Sequence, residues 1–222
     1  MADTSQGPEL TMAQRKRRLV SGELTEAALQ LLASKGFDAV TIDEIATVAG
    51  VSKRTFFRYF ASKEDVVVQF LGDMGAGMRE ELAARPAGER PSVALLRAVS
   101  VSLAACAHPD HAERALRVVR LILRTPALRA RFMERQAQWC DDLTAELARR
   151  PGPGADDGLY PRLAAGLTLT AFDAVLERWS DGDGAEDPLA LLERAFAVIA
   201  PALDAGTDAG TGAGAGADGA EG

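Results

Sequence analysis

Three cations fall within one short segment, Ser52-Lys-Arg-Thr-Phe-Phe-Arg-Tyr-Phe60, and no acid interrupts them. Lys53, Arg54 and Arg58 can donate hydrogen bonds to guanine O6 and N7, the acceptors that a major groove presents. Phe56 and Phe60 stand four residues apart, so on a helix they share one side and can be buried together. That leaves Lys53, Arg54, Phe57 and Arg58 on the other faces. A helix anchored by two phenyl rings and cationic elsewhere suits a groove lined by phosphate.

The residues ahead of this segment supply what must hold it. Thr41 and Glu44 have the T-x-x-E spacing of a capping box, which opens a helix. Ile45, Ala46 and Ala49 give that helix an inward face, and Gly50 ends it after about two turns. Val51 fills the corner, and Ser52 is the next N-cap. Two short helices around a glycine turn, at about residues 40–60, read as a helix-turn-helix. A longer helix is expected before it, from near Arg18 to Lys35, with Leu24, Ala27, Ala28, Leu31 and Leu32 inward and Gly36 as its stop. Ser62 caps a fourth helix, which extends to about Arg85. The run Arg15-Lys16-Arg17-Arg18 is either a solvated lead-in to the first helix or an arm that touches phosphate or a minor groove.

Charge is distributed to match. The 222 residues carry a net charge of −7, which taken alone argues against nucleic acid. Yet residues 11–63 hold nine Lys or Arg against five Asp or Glu, and the excess of acid lies beyond residue 70. A basic N-terminal part and an acidic remainder fit a chain in which one part meets phosphate. Apolar residues make up 47% and aromatics 5%, so the core is built from Ala, Leu and Val, and an all-α fold follows.

Further helices are expected at residues 93–107, 111–123, 126–149, 159–180 and 188–203. They are separated by Pro109, Pro126, residues 151–158 and residues 181–187. Residues 1–14 and the Gly/Ala/acidic tail 205–222 have too little apolar surface to order themselves. The expected division is therefore a DNA-binding domain at 15–77 and a larger helical domain at 78–204.

Other chemistries find little support. Cys106 and Cys140 have no metal-ligand spacing and are expected as buried free thiols. His108 and His111 flank Pro109-Asp110 without an evident nucleophile or second carboxylate. Neither catalysis, nor a metal, nor a cofactor is expected. An architectural DNA binder without an inducer is the alternative, and a second domain of this size argues against it. The polar N-terminus lacks an apolar signal segment, and no apolar run has the length of a membrane span, so a cytoplasmic protein without membrane contact is expected.

Leu24-Thr-Glu-Ala-Ala-Leu-Gln-Leu-Leu32, Gly36-Phe37, Thr41-Ile-Asp-Glu-Ile-Ala46, Ala49-Gly-Val-Ser52, Thr55-Phe-Phe-Arg-Tyr-Phe60 and Ser62-Lys63-Glu64 together resemble the TetR family of bacterial regulators over about residues 17–77. The resemblance implies an all-α homodimer: a three-helix DNA-binding domain followed by a larger helical domain for ligand binding and dimerisation. It implies a repressor on a palindromic double-stranded operator, released by a small molecule. Carried over by position, Lys53, Arg54 and Arg58 face the groove, and Thr55 and Tyr59 touch phosphate. Lys63 binds backbone phosphate at the start of the fourth helix, and Thr41 caps a helix start that faces the backbone. Arg15, Lys16 and Arg17 are the candidate arm. Phe57 departs from the pattern, since Tyr is usual there. Without a hydroxyl it keeps only an apolar contact, to sugar or a thymine methyl.

Pro126-Ala-Leu-Arg-Ala-Arg-Phe-Met-Glu-Arg135, Pro161-Arg-Leu-Ala-Ala-Gly166 and Glu177-Arg-Trp179 resemble the branch that includes the mycofactocin-system regulators. That implies an acyl-CoA-like effector in a pocket lined by Leu96, Leu103, Val119, Leu123, Phe132 and Phe172, with Arg120, Arg124 or Arg178 meeting its acidic group. The last two helices would form the dimer interface through Leu163, Leu167, Thr170 and Ala174 and through Leu192, Phe196, Ile199 and Leu203.

Overall fold

The computed structural model describes residues 11–150 and 158–208, and these contain helices and no strand. The helices are α1 (Met12–Lys35), α2 (Ile42–Val48), α3 (Lys53–Tyr59), α4 (Lys63–Ala84), α5 (Pro91–Ala107), α6 (Pro109–Arg124), α7 (Pro126–Ala148), α8 (Leu159–Asp181) and α9 (Pro188–Asp208). They form two compact units, Met1–Phe70 and Leu71–Gly222. Helix α4 runs through the division, which falls a few residues earlier than the expected boundary after residue 77. Of the expected tail 205–222, residues 205–208 continue α9, while 209–222 and residues 1–10 lie outside the described residues.

In the first unit, α1 begins six residues before the expected start. Thr11 and Gln14 make a capping box there: the Thr11 hydroxyl accepts from the Gln14 N–H, and the Gln14 side chain accepts from the Thr11 N–H at 2.8 Å. Arg15, Lys16 and Arg17 are therefore helical and exposed, not an extended arm. Leu24, Ala27, Ala28, Leu29 and Leu32 are buried, whereas Leu31, expected inward, is only half-buried. At the turn after α2, Gly50 takes φ 65, a left-handed conformation that costs glycine little. The reversal lets the Val51 N–H reach the Ala46 carbonyl at 2.9 Å and satisfies an otherwise orphan helix acceptor.

In the second unit, α5 packs on α9 and α6, α7 on α6 and α8, and α8 on α9. Proline opens α5 and α7, where its missing N–H costs nothing. Two polar ties fix helix ends. Asp204 of α9 accepts from the Ser92 N–H at 2.9 Å and from its hydroxyl at 2.7 Å. Arg150 donates to the carbonyls of Leu82 and Arg85, both at 3.3 Å, and so caps the end of α4. The core includes Met78, Leu82, Leu95, Leu103, Leu128, Leu143, Phe172 and Leu192, all essentially inaccessible.

Candidate nucleic-acid interface

The site is built from its caps outward. The Thr41 hydroxyl accepts from the Glu44 N–H at 3.2 Å, and Glu44 Oε2 accepts from the Thr41 N–H at 2.9 Å. Lys35 at the end of α1 reaches Glu44 Oε1 at 2.7 Å. These bonds, the Lys35 one first, hold the Glu44 carboxyl at about 2. Helix α2 is thus fastened at its first turn to the end of α1. Ser52 then caps α3, its Oγ accepting from the Thr55 N–H at 3.0 Å.

Phe56 is fully buried, and its ring centroid lies 5.6 Å from that of Phe60, which is also buried. This is the anchoring expected from their spacing. It leaves Lys53, Arg54, Phe57 and Arg58 exposed as one continuous face. Lys53 is held by Asp43 of α2 at 2.8 Å, with both side chains more than half exposed. Arg54 has no ion pair or hydrogen bond among the described residues. The Arg58 guanidinium lies 5.2 Å from the centre of the Tyr59 ring, and Arg17 of α1 lies 5.9 Å from it. Tyr59 is therefore flanked by two cations, and α1 contributes to the same basic patch as α3. Positive charge is concentrated here: four exposed cations around one short helix, with Asp43 as the near acid.

Lys63 has acceptors within the unit. It is half-buried, its ammonium donates to the carbonyls of Phe37 and Val40, and it stands 4.3 Å from the centre of the Phe37 ring. Those carbonyls belong to the turn after α1, so Lys63 neutralises and closes that turn. Thr41 makes the capping box expected of it, and the Thr55 hydroxyl lies 2.9 Å from that of Ser52. Neither the Asp43–Lys53 pair nor the Arg17–Tyr59 contact was foreseen. The i, i+10 spacing across the glycine turn was a legible signal for the first; nothing in the sequence marked the second.

Residues 24–70 match the family model described as bacterial regulatory proteins of the tetR family, and residues 90–204 match the model of the MftR C-terminal domain. The chain belongs to the TetR family. Two curated relatives of this TetR-family chain are named as transcriptional regulators. TcmR of Streptomyces glaucescens is 32% identical over 180 residues, 79% of each chain. MftR of Mycobacterium tuberculosis, named for mycofactocin biosynthesis, is 29% identical over 205 residues, 89% of this chain and 98% of that protein. The fold matches the Bacillus subtilis regulator FadR, solved in complex with stearoyl-CoA, with a TM-score of 0.61 at 22% identity, covering 83% of this chain and 98% of that one.

The second unit of this TetR-family chain places its expected residues unevenly. Leu103, Phe132 and Phe172 are buried together with the core, while Leu96, Val119 and Leu123 are half-buried. The hub of the aromatic cluster is Trp139, which the sequence reading missed. Its ring centroid is 5.8 Å from Phe132 and 6.4 Å from Phe172. The indole is buried yet its Nε1 has no hydrogen-bond partner among the described residues, and the same holds for Thr168 Oγ1 and Ser102 Oγ. Beside Phe172, Asp173 has its carboxyl raised by burial and by Glu177, against a hydrogen bond from Gln136 that lowers it.

The candidate arginines are used elsewhere. Arg120 donates to the Ser180 carbonyl at 2.7 Å and pairs with Asp183; Arg124 lies 3.6 Å from Asp181; Arg178 pairs with Glu186 at 2.9 Å. All three close the end of α8 and the turn before α9. The dimer face is corrected in half. Leu163, Leu167, Thr170 and Ala174 are exposed along α8, as a subunit contact requires. In α9, Leu192, Phe196 and Leu203 are buried in the subunit's own core and Ile199 is half-buried. The stripe exposed on α9 instead carries Ala190, Ala197, Val198 and Ala202, with Val198 79% exposed. Cys106 is buried, with its thiol pushed up to about 11, and Cys140 is half-buried; both are free.

Proposed function

We propose that this chain is a ligand-released repressor that binds a palindromic DNA operator as a homodimer. The observation that carries the reading is the α3 face: Lys53, Arg54 and Arg58 exposed in front of a fully buried Phe56. Arg54 and Arg58 supply paired donors for guanine, and the helix is short enough to enter a major groove. Arg15, Lys16 and Arg17 add phosphate contacts from the first turns of α1. Two copies joined through the exposed faces of α8 and α9 would address two half-sites.

The effector is read as an acyl-CoA-like molecule held in the second unit. Support comes from the FadR regulator that shares the fold and was solved with stearoyl-CoA. The aromatic cluster of Phe132, Trp139 and Phe172 gives an apolar wall, and the unpartnered Thr168 Oγ1 gives a hydrogen-bonding group for the polar part of a ligand. The test has two parts. Selection of duplexes from a random pool by the full chain should enrich an inverted repeat. Acyl-CoAs of several chain lengths should raise the melting temperature and release that duplex. A pool without enrichment overturns the DNA reading; absence of any thermal shift across the series overturns the effector reading alone.

A further inference from the structure

Phe57 is the anomaly of the α3 face. The residue is 49% exposed. It meets Phe56 edge-on, with centroids 5.7 Å apart. On a helix, Lys53 lies one turn before it, Arg54 three residues before it, and Arg58 next to it. Whatever surface accepts the cations of this face also receives the phenyl ring. Solvent gives that ring nothing, since exposed apolar area is unfavourable.

The major groove is lined almost entirely by polar edges. Guanine offers N7 and O6, adenine N7 and an amino group, and cytosine an amino group; thymine alone adds an apolar C5 methyl. A phenyl ring pressed on guanine or cytosine strips water from groups it cannot hydrogen-bond, which is costly. Pressed on thymine, it buries methyl against ring. The neighbouring cations favour guanine by the same logic, so one short face carries two different preferences.

We propose that Phe57 reads a thymine methyl, making thymine the preferred base at one step of each half-site, next to the guanine steps taken by Arg54 and Arg58. The proposal rests on α3 being the recognition helix. It separates Phe57 from its neighbours: they bind through charge and hydrogen bonds, whereas Phe57 contributes selectivity with no charge at all. A contact to deoxyribose would give no such base preference.

The experiment starts from the duplex that the full chain enriches from a random pool. Each thymine of one half-site is replaced in turn by deoxyuridine, which removes the C5 methyl and leaves pairing intact. One position should weaken binding about four-fold, as expected for one methyl withdrawn from an apolar contact. At that position a 5-methylcytosine·guanine pair should bind more tightly than cytosine·guanine. Phe57→Ala, a change at an exposed ring, should fold normally and bind the thymine and uracil duplexes equally. Wild-type affinity that is indifferent to every uracil, or a methyl preference that survives Phe57→Ala, overturns the thymine assignment while leaving DNA binding intact. A pool with no enriched sequence overturns both.

Discussion

Lys53 and Arg58 carry the same charge but are held differently. Lys53 is drawn toward Asp43 at 2.8 Å, whereas Arg58 rests against the Tyr59 ring. A base contact by Lys53 must first break an ion pair; one by Arg58 need not. Arg58→Ala is therefore expected to weaken operator binding by about 1–3 kcal/mol, the usual cost of one bidentate base contact. Gel-shift titration reads this, and thermal unfolding should be unchanged, because the side chain is exposed. Lys63 should behave in the opposite way. Its ammonium serves the Phe37 and Val40 carbonyls, so Lys63→Met leaves two part-buried acceptors without a donor. Stability should fall by roughly 1–3 kcal/mol in denaturant titration, while the folded fraction keeps most of its DNA affinity. A large loss of affinity without loss of stability would restore Lys63 to the phosphate contacts.

Helix α2 is specified by its ends more than by its length. With seven residues it depends on its capping box and on Lys35, and the Glu44 carboxyl sits at about 2 as a result. A carboxyl lowered on folding stabilises the fold above its ordinary value of 4.5. That contribution is lost as pH falls toward 2. Glu44→Gln should therefore lower the melting temperature near neutrality and leave it nearly unchanged near pH 2, as followed by helical circular dichroism. The helix-turn-helix was legible because caps and turns are local: Thr41, Glu44, Gly50 and Ser52 each act within four residues. The start of α1 was missed for the same reason inverted, since the Thr11–Gln14 box lies in a polar stretch with no apolar stripe to draw attention. Packing between distant elements was not legible at all. Gly75 of α4 is an example: a Cβ there would lie 2.1 Å from the Trp139 ring of α7. Gly75→Ala is expected to cost about 1–3 kcal/mol through overpacking. A Trp139→Leu change in the same chain should relieve part of that cost, a coupling visible in a double-mutant cycle.

At the scale of the whole molecule, a periodic apolar stripe says that a face is covered, but not by what. Both stripes of the last two helices were visible in the sequence, and only that of α9 is covered within the subunit. Leu192, Phe196 and Leu203 of α9 are covered by their own subunit, whereas Leu163 is 55% and Leu167 37% exposed on α8. Thr170 belongs with the exposed set, because its hydroxyl already donates to the Gly166 carbonyl at 2.9 Å and leaves its methyl free to pack. Adjacent exposed apolar positions on a helix are unfavourable in water and favour a second copy. Leu167→Asp combined with Ala174→Asp places two carboxylates on that face without touching the core. The double variant should elute as a monomer in light scattering and retain its helical signal. Its DNA affinity should fall by about 10²–10⁴-fold, because a dimer joins two half-site contacts at high effective concentration and a monomer has one. A double variant that remains dimeric would move the interface off α8. One that becomes monomeric yet keeps full affinity would mean that a single α3 face suffices for the operator.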